Sequence, residues 1–167
     1  DTWDVNMDMT STFTCGYGYI KWRNVTKEDE LSASGDAYTS IDFPLFRTAD
    51  AYLMAAEAIL RGASGTKSEA LGYVNEVRTR AYMSGKYAKN GVRSDVSGEI
   101  GANELDLDFL LLERQKELAS ELIRRTDLIR FGKYTKGNNW DWKNGVRLGE
   151  DVDDKYNLFP IPESELT

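Results

Sequence analysis

Histidine is absent from this 167-residue chain. That excludes histidine-based nucleophile triads, histidine general bases and histidine-ligated zinc. The single cysteine, Cys15, has no partner for an internal disulfide and neither supports nor opposes secretion. Basic residues are outnumbered, 21 against 28 acidic, and the net charge is −7. With no basic stripe to offset that balance, nucleic acid is not expected as a partner. No apolar run reaches the length of a membrane span, and no signal peptide is visible. The first residue is Asp1 rather than methionine, so a processed product or a fragment is expected.

The chain does have a run from Glu113 to Gly132 that interlaces charges of both signs and stops at a glycine. Glu117 and Glu121 are four apart, while Glu121–Arg124, Arg124–Asp127 and Asp127–Arg130 are each three apart. Side chains at these separations share a helix face and can pair. The spacing allows two readings. Either buried or half-buried ion pairs hold packed helices in register, or a solvated helix carries weak surface pairs.

Apolar periodicity predicts a mainly α fold, with a length suited to one domain. Phe46, Ala49, Leu53, Ala56 and Leu60 form one stripe on a helix from about Arg47 to Arg61, ended by Gly62 and Gly65. Thr66-Lys67-Ser68-Glu69 is a capping box opening a second helix, with Ala70, Val74, Val77 and Ala81 on one face and an end near Gly85. The short connection makes Arg47–Gly62 and Thr66–Ala81 an antiparallel hairpin. Residues 83–104 read as a long loop. Asp106 is the expected cap of a third helix whose apolar face uses Leu107, Leu110, Leu111, Leu118 and Leu122. A fourth, short helix carries Leu128 and Ile129 to Phe131.

Outside the helices, residues 1–45 read as loops with one or two short strands, Tyr17–Trp22 being the aromatic strand candidate. Residues 134–157 read as a further loop. Phe159-Pro160-Ile161-Pro162 is expected to be extended, because proline disfavours helix at the preceding residue. Phe159 and Ile161 are expected to pin this tail onto the helices.

Carboxylates are plentiful, so a glycosidase has to be weighed. It needs two facing acids, one with a raised pKa. Glu117 and Glu121 have Arg114 and Arg124 at helical spacing, which favours a structural role for them. Glu150-Asp151-Val152-Asp153-Asp154 invites calcium, yet the rest of an EF-hand loop is missing, and a solvated acidic loop is preferred. No metal and no cofactor are expected. The strongest binding chemistry is aromatic, since a sugar stacks its C–H face on Trp or Tyr while its hydroxyls bond polar side chains. Tyr134, Asn138, Asn139, Trp140, Asp141, Trp142 and Lys143 bring both kinds together. Tyr17, Tyr19 and Trp22 form a second group. For both groups the competing reading is that the rings pack loops onto helices.

Four motifs in order resemble the SusD/RagB family of bacterial surface glycan-binding lipoproteins. Glu113, Arg114, Glu117, Leu118, Glu121, Arg124, Asp127, Leu128, Arg130 and Gly132 fill its E-R-x-x-E-L-x-x-E-G-x-R-x-x-D-L-x-R-x-G pattern, with Leu122 where the family usually has glycine. Phe46–Ala58, Ala70–Ala81 and Leu158–Leu166 resemble its F-R-x-A-D, V-N-x-V-R-x-R-A and L-F-P-I-P motifs. The resemblance implies tetratricopeptide-like helical hairpins with long loops, beside the short strand-containing N-terminal segment read from the aromatic content above. It divides the chain into a loop and short-strand segment, 1–45, and a helical region, 46–167, belonging to a larger protein. Glu117, Glu121, Arg124, Asp127 and Arg130 become structural ion pairs. The function implied is non-catalytic binding of an oligosaccharide or other glycan at the outer membrane of Bacteroidetes, serving polysaccharide utilisation. Its partners are a SusC-like TonB-dependent transporter and upstream parts of the same protein, with the membrane reached only through an upstream lipid anchor. A helical-repeat scaffold for protein partners and a carboxylate-based glycoside hydrolase are the alternatives.

Overall fold

A computed structural model describes residues 21–22, 24–26, 30, 41–83, 97–137 and 140–166. The chain divides into two units, Asp1–Phe43 and Pro44–Thr167. In the second, α1 spans Thr48–Leu60, α2 Lys67–Met83, α3 Leu107–Glu117 and α4 Arg124–Arg130. Short 3-10 turns follow at Lys143–Gly145, Asp154–Asn157 and Glu163–Glu165. Among the described residues there is no strand, and Lys21 and Trp22 form a turn. The rest of the expected Tyr17–Trp22 strand lies outside the described residues.

Local chemistry explains four of the helix ends. Thr66 and Glu69 form the reciprocal capping box: Glu69 N–H donates to Thr66 Oγ1 at 3.2 Å, and Thr66 N–H donates to Glu69 Oε2 at 2.6 Å. Asp106 caps α3 by accepting from Phe109 N–H at 2.7 Å. At the end of α1, Gly62 takes φ +99° and Ala63 N–H reaches back to the Ala58 carbonyl. At the end of α4, Gly132 takes φ +68° and Lys133 N–H reaches the Leu128 carbonyl. Both are left-handed glycine stops that satisfy carbonyls left open by the last turn.

α1 and α2 run antiparallel. Thr48 and Ala49 share a groove with Val77 and Arg80, whereas Leu60 and Lys67 meet near the turn. Tyr52 stacks on Tyr73, with ring centres 5.6 Å apart. Small side chains allow close approach: Ala49, Ala56 and Ala70 are buried beside Leu53, Val74 and Val77, and Leu105 and Leu110 complete the core. Burying each of the larger aliphatics contributes about 1.5–3 kcal/mol. Residues 97–106 are tied to α2 by Asn75, whose amide donates to the Ile100 carbonyl at 3.1 Å and accepts from its N–H at 2.9 Å.

Several expectations need correction. Phe46 precedes α1 and is 88% exposed, so it is not on the buried stripe. Ala81 is exposed as well. The third helix stops at Glu117 instead of continuing through Leu122, which is 85% exposed. Ser120 (φ 63°) and Leu122 (φ 60°) both take left-handed backbone, which breaks the helix and turns the chain into α4. The tail is not pinned by apolar burial either. Phe159 and Ile161 are both exposed, and Phe159 is instead covered on one face by Arg125, with its guanidinium 4.0 Å from the ring centre.

Candidate functional site

The charged run does not pair mainly with itself. Arg47, at the start of α1, donates from Nε to both Glu121 carboxylate oxygens at 3.0 and 2.9 Å. Its Nη1 meets Glu117 Oε1 at 2.5 Å, and its Nη2 meets the Glu117 carbonyl at 2.5 Å. Arg80 on α2 adds a bond to Glu117 at 2.5 Å. The left-handed residues on either side of Glu121 turn its carboxylate inward, where it is buried.

A second cluster joins α1, α3 and α4. Arg114, 2% exposed, donates from Nε to Asp127 Oδ2 at 2.9 Å. Its Nη1 also lies 2.9 Å from Asp50 Oδ1, an ion pair that lacks hydrogen-bond alignment. Arg130 forks onto Glu57 at 2.8 and 2.9 Å and reaches Asp127 at 2.7 Å. Arg78 links α2 to Glu113 on α3 at 2.5 Å. Arg124 differs from its neighbours in the run: its Nη1 donates to the Leu111 carbonyl at 3.0 Å. Burial lowers its pKa, partly offset by the charge of Asp127.

These contacts set the state of the acids. Burial opposes ionisation of Glu57, but hydrogen bonds from Arg130 and Arg61 outweigh it and hold the carboxyl below its ordinary range. Glu69 is held low by the Thr66 N–H, and Asp154 by Thr135 and Lys136. A glycosidase acid needs the opposite shift.

The aromatic loop is built on α4. Arg125 lies between two rings, 4.9 Å from the Tyr134 centre and 4.0 Å from the Phe159 centre, and donates to the Tyr156 and Asn157 carbonyls at 3.0 and 3.1 Å. Tyr134 packs against Trp140 at 5.7 Å with a 35° tilt. Lys143 is buried; its ammonium donates to the Gly137 carbonyl at 2.9 Å and sits 5.1 Å from the Trp140 ring centre. Trp140, Asp141 and Trp142 are exposed. Trp142 itself has φ 63°, a left-handed turn that aims the chain into the next 3-10 turn.

The acidic run frames this loop. Asp154 accepts from Thr135 Oγ1 at 2.6 Å, Asp151 from Gly137 N–H at 2.8 Å and Glu150 from the Asn144 amide at 2.6 Å. Asp153 caps the following turn through Lys155 N–H at 2.8 Å. Among the described residues, no three carboxylates, cysteines or histidines converge as metal ligands.

Of the residues expected to meet a ligand, Trp140 contacts both Tyr134 and Lys143. Asp141 and Trp142 are displayed on the same loop, and Asn138 and Asn139 lie outside the described residues. Lys143 points its charge inward, as a brace under Trp140. Arg125 was not foreseen, because nothing in the spacing of Arg124 and Arg125 shows which of the two will be held between rings. Arg47, Asp50 and Glu57 lie within one quoted motif, but Glu121, Arg114 and Arg130, which they meet, sit in another.

Helices joined by guanidinium–carboxylate bonds, followed by a loop of aromatic rings framed by acidic side chains, make this a mainly helical protein. The chain belongs to the SusD family, whose model matches residues 3–167. It is also similar to the starch-binding protein SusD of Bacteroides thetaiotaomicron, with 37% identity over 163 residues, 97% of this chain and 26% of that protein. The chain thus spans about a quarter of the length of the curated relative it matches.

Proposed function

We propose that this chain is part of a non-catalytic carbohydrate-binding protein of the bacterial outer-membrane surface. The observation that carries the reading is membership of the SusD family, with a relative named for binding starch. Residues 46–167 act as one helical domain of a larger protein, and α1 and α2 form a tetratricopeptide-like hairpin within it. The ion pairs of Glu117, Glu121, Asp127 and Arg130 keep the helices in register. The residues proposed to meet ligand are Tyr134, Asn138, Asn139, Trp140, Asp141 and Trp142, and Lys143 braces the loop from beneath. Delivery goes to a SusC-like TonB-dependent transporter, and an upstream lipid group holds the protein to the membrane. Among the described residues no helix is long and apolar enough to cross a membrane.

The physical support is the arrangement of the loop. Exposed rings offer apolar faces to sugar C–H groups, and Asp141 offers acceptors to hydroxyls. Titration calorimetry of the intact protein with maltohexaose tests the reading. Trp142→Ala should weaken binding about tenfold, the loss of one good stacking contact. Unchanged affinity and stoichiometry in Trp140→Ala/Trp142→Ala would remove the loop from the site. Failure to bind any soluble oligosaccharide would overturn the function.

A further inference from the structure

Arg125 joins α4 to the aromatic loop and to the C-terminal tail at one point. Its guanidinium lies 4.9 Å from the Tyr134 ring centre and 4.0 Å from that of Phe159. Its Nη2 donates to the Tyr156 and Asn157 carbonyls at 3.0 and 3.1 Å. A guanidinium is planar, so its face can stack on rings while its edge donates to carbonyls. The ammonium of lysine is a compact point charge with no flat face to stack.

The backbone around Tyr134 is fixed by other bonds. Tyr134 N–H donates to the Leu128 carbonyl at 3.1 Å, and the Thr135 carbonyl accepts from Val152 N–H at 2.9 Å. Those bonds hold the chain but leave the ring its own side-chain torsions. The direction of the ring is therefore set by what lies against it. Arg125 lies on it, and Trp140 packs beside it with centres 5.7 Å apart. Trp140 is exposed and takes its orientation from that packing and from Lys143. Phe159 is 79% exposed, so apolar burial does not hold it. Its contact with the guanidinium joins the tail to the same chain of rings.

We propose that Arg125 is a positioning residue for the aromatic loop. Clamped by Phe159 and the tail carbonyls, it sets the Tyr134 ring and, through it, the face that Trp140 offers to a sugar. The tail is thereby coupled to the loop without itself meeting ligand. The consequence for affinity rests on the reading of this loop as the binding site, whereas the positioning of the rings does not.

The intact protein is labelled with 5-fluorotryptophan, and Trp140→Phe identifies the Trp140 fluorine resonance. Without sugar, Arg125→Lys should move that resonance toward its position in urea-unfolded protein. Phe159→Ala, a change at an exposed ring, should move it the same way. Both act through one contact, so the double variant should move it no further than Arg125→Lys alone. Maltohexaose titration then reads the consequence. Arg125→Lys should weaken binding about threefold, the weight of one partly exposed cation–π contact.

A lowered urea midpoint with an unmoved Trp140 resonance would leave Arg125 a stabilising contact alone and overturn the proposal. Additive shifts in the double variant would overturn the coupling to the tail. An affinity that falls in Trp140→Ala/Trp142→Ala but not in Arg125→Lys also counts against it. An affinity unchanged in all of these variants, or no binding by the wild type, removes the loop as a sugar site instead. The Trp140 resonance then still decides whether Arg125 sets the rings.

Discussion

Leu122 shows what one residue can cost. Its φ of 60° suits glycine, and a side chain there adds about 1–2 kcal/mol of steric strain. The side chain recovers little of this, being 85% exposed. Leu122→Gly relieves the strain but frees the unfolded chain, which costs about 0.4–1 kcal/mol. The net expectation is a stabilisation of about 0.5–1 kcal/mol, read as a higher urea midpoint at unchanged slope. The family resemblance already marked this position as one that usually holds glycine, so the unusual residue was legible. The backbone conformation behind it was not, because the helix pattern reads smoothly through Leu118 and Leu122.

At the scale of elements, buried ion pairs take the role that a larger apolar core would have. Arg114 has two carboxylate neighbours, Asp50 on α1 and Asp127 on α4, and all three side chains are nearly inaccessible. Removing Asp127 takes the aligned carboxylate from a buried guanidinium and leaves it Asp50, which lies close but makes no hydrogen bond to it. Asp127→Ala should therefore cost about 3–5 kcal/mol in the intact protein, measured by chemical denaturation. Asp108→Ala is the control. Its pair with Lys133 is solvent-exposed, and its loss should cost under about 1 kcal/mol. Equal effects would mean the interior cluster does not hold α4 to α1 and α3.

Glu57 links the same elements and gives the fold a pH dependence. Its folded pKa is depressed below 4.5, so the unfolded chain takes up the proton more readily. That contribution is fully present above the unfolded value and is lost as pH falls through the folded one. Urea midpoints should hold steady from neutrality to about pH 5 and fall below it. Glu57→Gln should lower the neutral midpoint and flatten part of the acid slope. An unchanged slope would assign the acid sensitivity to other carboxylates.

Across the whole molecule, apolar surface is left uncovered. Leu45, Phe46, Leu122, Leu158 and Phe159 are each at least 75% exposed. A soluble chain rarely keeps so much apolar surface without an interface. The 167-residue chain by itself should associate in a concentration-dependent way, unfold without a sharp transition and bind glycan weakly. Sedimentation velocity and thermal unfolding check this. A monomer at all concentrations with one cooperative transition would contradict it.

By itself the sequence determined several of the points where helices start and stop, though not the end of α3 at Glu117. Thr66 with Glu69, Asp106, Gly62 and Gly132 act on backbone groups only a few residues away, and such chemistry is readable from neighbours alone. It also determined which residues carry the charge and which rings share a loop. Only the tertiary structure decided what those groups meet. Arg47 finds Glu121 across 74 residues, and Arg130 finds Glu57 across 73. Arg125 comes to rest between Tyr134 and Phe159, and Lys143 turns inward under Trp140. Helical periodicity ranks only neighbours on one face, and it proposed pairs three and four apart. A guanidinium brought against a distant carboxylate by helix packing leaves no periodic trace, because its partner is set by how the elements fold together.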